Sequence, residues 1–123
     1  MIKQAKKEMM VSDTCKSNLS SVDDALYVIG GKWKLKVIVA LKDKKSVRFN
    51  ELQRTLGGIS ARVLSNELKE LELNGFVKRH VFVDQTPVVV EYEPTEYSQS
   101  LRYVIKALAD WGTKHKNKIR AER

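Results

Sequence analysis

The spacing of apolar and polar residues changes along this chain, and these changes predict its helices and strands. Helical spacing, with apolar residues three to four positions apart, recurs over most of the sequence. The helices that it predicts cover 22–29, 32–42, 51–56, 62–74 and 97–118. Two runs rich in β-branched and aromatic residues, 77–83 and 88–92, flank a turn at 84–87 and predict a β-hairpin. The pattern therefore predicts a mainly helical α+β fold.

Glycines and capping residues set the predicted ends of these elements. Gly30-Gly31 and Gly57-Gly58 each break a helix, since glycine supplies the conformations that end one. The predicted N-caps are Ser20 or Ser21, Asn50 and Ser60. Residues 1–18 show little apolar periodicity and are predicted to form a flexible arm. The remaining residues, 19–123, are then a single domain of ordinary size.

The order of the predicted elements is informative. A helix at 32–42, with Trp33, Val37, Ile38 and Leu41 at core spacing, is followed by a short extended segment at 47–49. Two short helices joined by a glycine-containing turn then make a helix-turn-helix unit, and the hairpin follows. This is the order of a winged helix-turn-helix, with a three-helix core, a β-hairpin wing and a further helix at each end.

The predicted helix 62–74 has two chemically different sides. At about 100° per residue, Leu64, Leu68 and Leu71 fall on one side and predict its buried face. The opposite side carries Arg62, Ser65, Asn66 and Lys69. Arginine can hold guanine, and asparagine adenine, through two hydrogen bonds in the major groove. Considered alone, these polar residues fit the solvated side of any amphipathic helix at least as well as a DNA-binding surface. The order of the elements favours a DNA-binding surface.

Charge agrees with this interpretation when it is divided along the chain. The net charge of the sequence is +8. Residues 32–79 hold twelve basic and five acidic residues, a net +7, and residues 98–123 hold seven basic and two acidic, a net +5. Residues 80–97 hold four acids and no Lys or Arg, a net −4. Basic helical regions of this kind favour a phosphate polymer such as DNA as the partner.

Four segments resemble the HxlR family of bacterial winged helix-turn-helix transcriptional regulators. They are GGKWKLKVIVAL (30–41), RFNEL (48–52), GGISARVLSNELKELELNGFVKR (57–79) and VEYEPTEYSQSL (90–101). The resemblance runs from about Cys15 to Trp111. It implies a homodimer that binds a two-fold operator near a promoter, more commonly as a repressor. The helix that begins at Ser60 would be the recognition helix, the hairpin at 77–93 the wing, and the terminal helices the dimer interface.

The wing departs from the family pattern. Family members place a basic residue after the wing proline, whereas this chain reads Thr86-Pro87-Val88-Val89. The tip of the wing is therefore expected to bind phosphate weakly. The expected contacts to the DNA backbone are Ser60, Ser65, Lys44, Lys45, Arg48, Lys78 and Arg79. An acidic wing also leaves open a second function, a winged-helix module that binds another protein.

Cys15 is the only cysteine in the chain. In a redox-sensing branch of the HxlR family a cysteine near the amino terminus reacts with oxidants or electrophiles. The neighbouring Lys16 favours the reactive thiolate, whereas Asp13 opposes it. An intramolecular disulfide is impossible, so the candidate products are a disulfide across a dimer, a mixed disulfide or an alkylated thiol. The alternative is a small residue that packs the first helix and senses nothing.

The last predicted helix supports dimerisation. Its apolar residues exceed what so small a domain can cover alone, and a two-fold operator requires a two-fold protein. The expected interface residues are Leu101, Val104, Ile105, Leu108 and Trp111. The alternative is that this helix folds back on its own domain.

Other functional classes have little support in the sequence. His80 and His115 are far apart and lack the ligand spacing of a zinc site, and no phosphate-binding glycine loop or nucleophile elbow occurs. Cys15 has no obvious catalytic base, so we expect no enzyme activity and no cofactor. The sequence has no apolar run long enough for a membrane span, and a single cysteine fits a reducing compartment, so we expect a cytoplasmic protein.

Overall fold

The computed structural model describes residues 2–123, with side chains from Thr14 onward. Met1, which belongs to the predicted arm, lies outside the described residues. The chain forms two compact units, the first ending at Gly31 and the second comprising Lys32–Arg123. None of the helices in residues 2–123 has both the length and the apolar character that crossing a membrane requires.

Five α-helices and three strands make up residues 2–123. The helices are α1 (Ile2–Ile29), α2 (Lys34–Leu41), α3 (Phe49–Leu56), α4 (Ala61–Leu73) and α5 (Arg102–Ala121), and a 3₁₀ turn (Tyr97–Leu101) leads into α5. The strands are β1 (Val47–Arg48), β2 (Val77–Phe82) and β3 (Val89–Pro94). The predicted winged helix-turn-helix is confirmed, because α2, α3 and α4 are followed by the β2–β3 hairpin.

The first unit contains a single helix, whereas the sequence predicted a helix over 22–29 that follows an arm over residues 1–18. Helix α1 runs without a break from Ile2 to Ile29, so Ser20 and Ser21 lie inside it and cap nothing. The predicted start of this helix at residue 22 was wrong because it relied on apolar periodicity. Residues 2–29 contain no Gly or Pro, and many of them are strong helix formers that need no apolar stripe. The boundary between units falls after Gly31, whose φ of +95° ends the helical path.

The core of the second unit lies between its first three helices and the sheet. The most deeply buried side chains, none of them more than 1% exposed, are Val37, Leu41, Leu52, Leu64, Leu68 and Leu71. The three leucines of α4 are among them, which confirms the buried face predicted for that helix. Each fully buried leucine contributes about 1.5–3 kcal/mol through removal of apolar surface from water. Helix α4 is therefore held by one side only.

The sheet is antiparallel with strand order β1-β3-β2. The hairpin register pairs Arg79 with Tyr92 and His80 with Glu91, and β1 pairs Val47 with Tyr92. The sequence predicted the hairpin but not that the short segment before α3 joins it as a third strand. Through β1, the wing is hydrogen-bonded directly to the start of the helix-turn-helix.

Two local predictions in the second unit were wrong. Asn50 does not cap α3, because the helix already begins at Phe49 and its N-cap position is Arg48. Leu101 is not available to a dimer partner, because it is buried at the end of the 3₁₀ turn that docks α5 onto the domain. The remaining predicted interface positions lie beyond it on α5.

Candidate nucleic-acid interface

The amino-terminal half of α4 is the best-defined polar surface of the second unit. Ser60 caps the helix as predicted, and its Oγ accepts a hydrogen bond of 3.1 Å from the Val63 N–H. The side opposite the buried leucines carries the predicted reading residues, and all of them are exposed: Arg62, Ser65, Asn66 and Lys69. Donors and acceptors at the start of a capped helix can approach both base edges and phosphates.

The turn before α4 fixes where this surface points. Gly57 and Gly58 have φ values of +66° and +69°, which residues with a side chain rarely adopt. The Gln53 side-chain amide of α3 donates a 3.1 Å hydrogen bond to the Ile59 carbonyl, and Ile59 is itself buried. The turn from α3 to α4 is thus held by this hydrogen bond and by the buried side chain of Ile59.

A buried lysine ties α4 to α2. The Lys34 Nζ lies 2.9 Å from Glu67 Oε2 and 2.6 Å from Glu70 Oε2, and its side chain is only 11% exposed. Hydrogen bonding to Glu70 and then to Glu67 raises the pKa of Lys34 above its ordinary value of 10.5, against the opposing effect of burial. Both carboxylates flank the polar surface of α4. The ion pairs therefore fix the rotation of that surface relative to α2.

A concavity of about 410 Å³, here called the front groove, separates α4 from the wing. It brings together three of the predicted contact residues, Arg48, Ser65 and Arg79, although they come from three different elements. The side chain of Tyr92, opposite Arg79 in the hairpin, lies buried beneath them. Among the residues whose side chains the structure describes, no acidic one lines this groove. Its electrostatic character suits an anionic strand.

The three lysines predicted to contact the DNA backbone lie elsewhere. Lys44 and Lys45 border a second concavity on the opposite face of the sheet, together with Glu91 and Glu93. Lys78 pairs with Glu93 across the hairpin and so belongs to the same face. Lys44 also lies 4.0 Å from Glu51. The basic residues predicted to contact phosphate therefore form two groups, and only Arg48 and Arg79 lie beside the α4 surface.

The acidic residues of the wing also have definite places. His80 Nε2 lies 2.7 Å from Glu93 Oε2, and Ser46 Oγ donates a 3.3 Å hydrogen bond to Glu91 Oε1. Because successive strand residues point to opposite faces, Glu91 and Glu93 face away from Tyr92 and the front groove. Two of the four acids of residues 80–97 thus face away from the front groove.

Helix α5 leaves an apolar side uncovered by its own domain. Val104, Leu108 and Trp111 are exposed, and Ile105 is partly exposed. Ile105 and Leu108 continue into an apolar groove of about 490 Å³ between α2, α3 and α5, which also includes Val39 and Leu56. An uncovered apolar surface that extends over three helices is typical of an interface.

Helix α1, considered on its own, carries Cys15 on an exposed stripe. Leu19, Val22 and Leu26 are each more than half exposed, and Cys15 is exposed as well. These four residues are spaced four, three and four positions apart, which is the spacing of a two-helix coiled-coil seam. The alternative that Cys15 is a small buried residue does not fit this exposure.

The comparisons with known proteins decide the family. A profile described as HxlR-like helix-turn-helix matches residues 28–120. The chain belongs to the HxlR family. Among its relatives, an HTH-type transcriptional regulator of Halalkalibacterium halodurans is 42% identical over 92 residues, covering 75% of this chain and 80% of that protein. This HxlR protein is accordingly a helix-turn-helix transcriptional regulator that binds DNA.

Solved structures of other regulators share its fold. The redox regulator HypR in its reduced form superposes with a TM-score of 0.73 and 36% identity, covering 82% of this chain and 98% of HypR. The reduced form of YodB from Bacillus subtilis superposes with a TM-score of 0.64 and 35% identity, covering 74% of this chain and 87% of YodB. HypR has also been solved in an oxidised form, and YodB after diamide treatment.

Sequence reasoning missed two features of this HxlR interface. Lys34 was counted only as one of the basic residues, yet it is the buried residue that fixes α4. Its role was missed because its carboxylate partners lie more than 30 residues away in sequence. The apolar side of the front groove, formed by Pro87, Val88 and Val90, also went unnoticed. A period-two assignment of the hairpin would have separated these valines from Glu91 and Glu93.

Proposed function

We propose that this HxlR protein is a homodimeric repressor that reads a two-fold operator with the exposed side of α4. The observation that carries the proposal is the combination of one buried and one exposed side in a single capped helix. Leu64, Leu68 and Leu71 hold the helix, and no part of its own unit covers the residues opposite them. Repression is the commoner role that the family resemblance implies.

The residues of α4 take different roles in this proposal. Arg62 and Asn66 read base edges, since their side chains can each form two hydrogen bonds with a single base. Ser60 and Ser65 contact phosphate at the start of the helix, and Lys69 adds charge beside them. Arg48 and Arg79 hold the strand that enters the front groove, while Lys44, Lys45 and Lys78 supply longer-range attraction.

Dimerisation is proposed through the terminal helices. Val104, Ile105, Leu108 and Trp111 of α5 would pack against a second copy, which removes their apolar surface from water. A two-fold axis would then place two α4 helices about 34–36 Å apart, or a multiple of that distance. The operator should accordingly contain two inverted half-sites with this spacing.

Redox control through Cys15 is the finer part of the proposal. The reduced and oxidised structures of HypR, and the reduced and diamide-treated structures of YodB, support it by similarity. The exposure of Cys15 makes the thiol accessible. In a parallel pair of α1 helices the coiled-coil spacing would bring Cys15 level with Cys15 of a second copy. Formation of the S–S bond transfers two electrons and two protons to a small oxidant such as diamide, whose N=N bond is reduced.

In vitro selection of DNA sites tests the proposal. The wild-type protein should enrich an inverted repeat, and sedimentation should show two copies on each duplex. Failure to enrich any site, or binding as a single copy, would contradict it.

The redox part is tested on the selected site with and without diamide. We expect diamide to reduce binding by the wild type and to leave Cys15→Ser unaffected, with a dithiothreitol-reversible dimer on a non-reducing gel. An equal response of the two proteins would show that Cys15 is not the sensor. Binding of Cys15→Ser to the selected site without diamide shows that the variant is folded.

A further inference from the structure

The front groove has two chemically different walls. Arg48, Asn50 and Ser65 border one side, and Arg79 rises from the strand floor. The opposite wall consists of Pro87, Val88, Val89 and Val90. Val88 is 53% exposed, so a substantial part of its side chain is available for contact.

The side chains of this wall cannot bind phosphate. Valine and proline side chains have no hydrogen-bond donors, and residues 80–97 contain no Lys or Arg that could neutralise a phosphate. Glu91 and Glu93 do not line this groove, and they border the concavity on the other face of the sheet instead. The wall therefore suits the apolar part of an anionic chain.

We propose that Val88 and Val90 pack against deoxyribose faces of the DNA strand whose phosphates are held by Arg48 and Arg79. The proposal rests on the function proposed above and identifies which chemical part of the DNA the wing contacts. The groove is continuous with the α4 surface through Ser65, so a duplex on α4 would bring one backbone alongside the wing. Sugars and phosphates alternate along that backbone. The arginines of the groove would contact the phosphates, and the apolar wall would contact the sugars between them.

Sugar contact predicts an unusual combination of effects for a DNA-binding residue. Val88→Ser should weaken binding about three- to ten-fold, because part of an apolar contact is lost. The loss should be the same for the operator and for an unrelated duplex, since every nucleotide has the same sugar. The dependence of log Kd on log salt should not change, because no phosphate contact is removed.

Two further variants separate this contact from phosphate binding. Arg79→Gln should lower the salt slope by about 0.9, the value for one phosphate on duplex DNA. Val88→Lys should raise the slope by a similar amount, because a new ammonium would lie beside the same strand. Val83→Ser is the matched control, since Val83 is 77% exposed on the same wing but does not line the groove.

The experiment is fluorescence anisotropy with the selected operator between 50 and 200 mM salt, a range in which phosphate contacts change affinity strongly. Single ribonucleotides placed at the positions nearest the wing should weaken the wild type but not Val88→Ser, because a 2′-hydroxyl enters the apolar contact. Replacing thymine by uracil at those positions should change nothing.

Three results would overturn the proposal. Val88→Ser could bind as tightly as Val83→Ser, uracil could reproduce the loss and so assign the contact to thymine methyl groups, or Val88→Lys could leave the salt slope unchanged. If the wild type binds its operator and Arg79→Gln lowers the slope, any of these results defeats the wing contact alone. If the wild type binds no operator, the proposed function fails and the wing contact fails with it.

Discussion

Replacing Lys34 by methionine tests how α4 is held in place. Methionine keeps most of the length and apolar packing of the lysine stem, so the main loss is the ammonium between Glu67 and Glu70. Glu67 is 22% exposed and would keep a carboxylate oxygen in a buried position without its cation. Leaving such a group unpaired costs about 1–3 kcal/mol.

Glu70 contributes less to the expected loss. Its side chain is 58% exposed, and an exposed ion pair contributes about 0–1 kcal/mol. The expected decrease in the free energy of unfolding for Lys34→Met is therefore about 2 kcal/mol. Adding Glu67→Gln should restore part of it, because a neutral amide is less costly to bury than an unpaired carboxylate.

The pH dependence has a definite sign. Because the pKa of Lys34 in the folded protein lies above its unfolded value of 10.5, the stabilisation is complete below pH 10.5 and is lost as the pH rises through the folded pKa. The difference in stability between wild type and Lys34→Met should therefore be constant from neutral pH to about pH 10 and shrink above that.

Urea denaturation followed by circular dichroism measures this difference. The matched control is Lys106→Met, which breaks an ion pair between two side chains that are 75% and 67% exposed, and should change stability by less than about 0.5 kcal/mol. Equal stabilities for Lys34→Met and Lys106→Met would refute the reasoning. So would a difference that grows above pH 10.5.

Three further variants test other parts of the structure. Ser60→Ala removes the cap of α4 and should lower the free energy of unfolding by about 1 kcal/mol in urea denaturation; no change would mean that the cap is dispensable. Lys45→Ala should weaken binding to every duplex alike and lower the salt slope by up to about 0.9 in anisotropy titrations, and a sequence-dependent loss would contradict a backbone role. Trp111→Lys places a charge on the exposed side of α5 and should produce monomers in sedimentation equilibrium, whereas an intact dimer would assign the interface elsewhere.

The parts of the fold set by local periodicity were accessible from the sequence. The leucine spacing identified the buried side of α4, and Ser60 identified its first turn. The runs of β-branched residues identified the wing hairpin. These features depend on residues within a few positions of one another. The extent of α1 was missed for the converse reason, since that helix has strong formers but no apolar period that reaches its first residue.

Features that depend on distant residues were not accessible. The burial of Lys34 requires carboxylates from α4, and the pairing of β1 with β3 joins residues more than 40 positions apart. The front groove likewise combines α4, β1 and the wing. A pattern along one chain segment cannot show which side chains from another segment will lie opposite it.

The central claim is that the exposed side of α4 reads base pairs. Its most direct test is site selection repeated with Asn66→Ala, with Asn74→Ala as the control, because Asn74 is the same residue type at the opposite end of α4. We expect Asn66→Ala to lose discrimination at one position in each half-site, by about 1–3 kcal/mol, and Asn74→Ala to select the wild-type sequence. Identical base preferences for wild type and Asn66→Ala would contradict the proposed role of Asn66 and, with it, the direct base reading on which the proposed function rests.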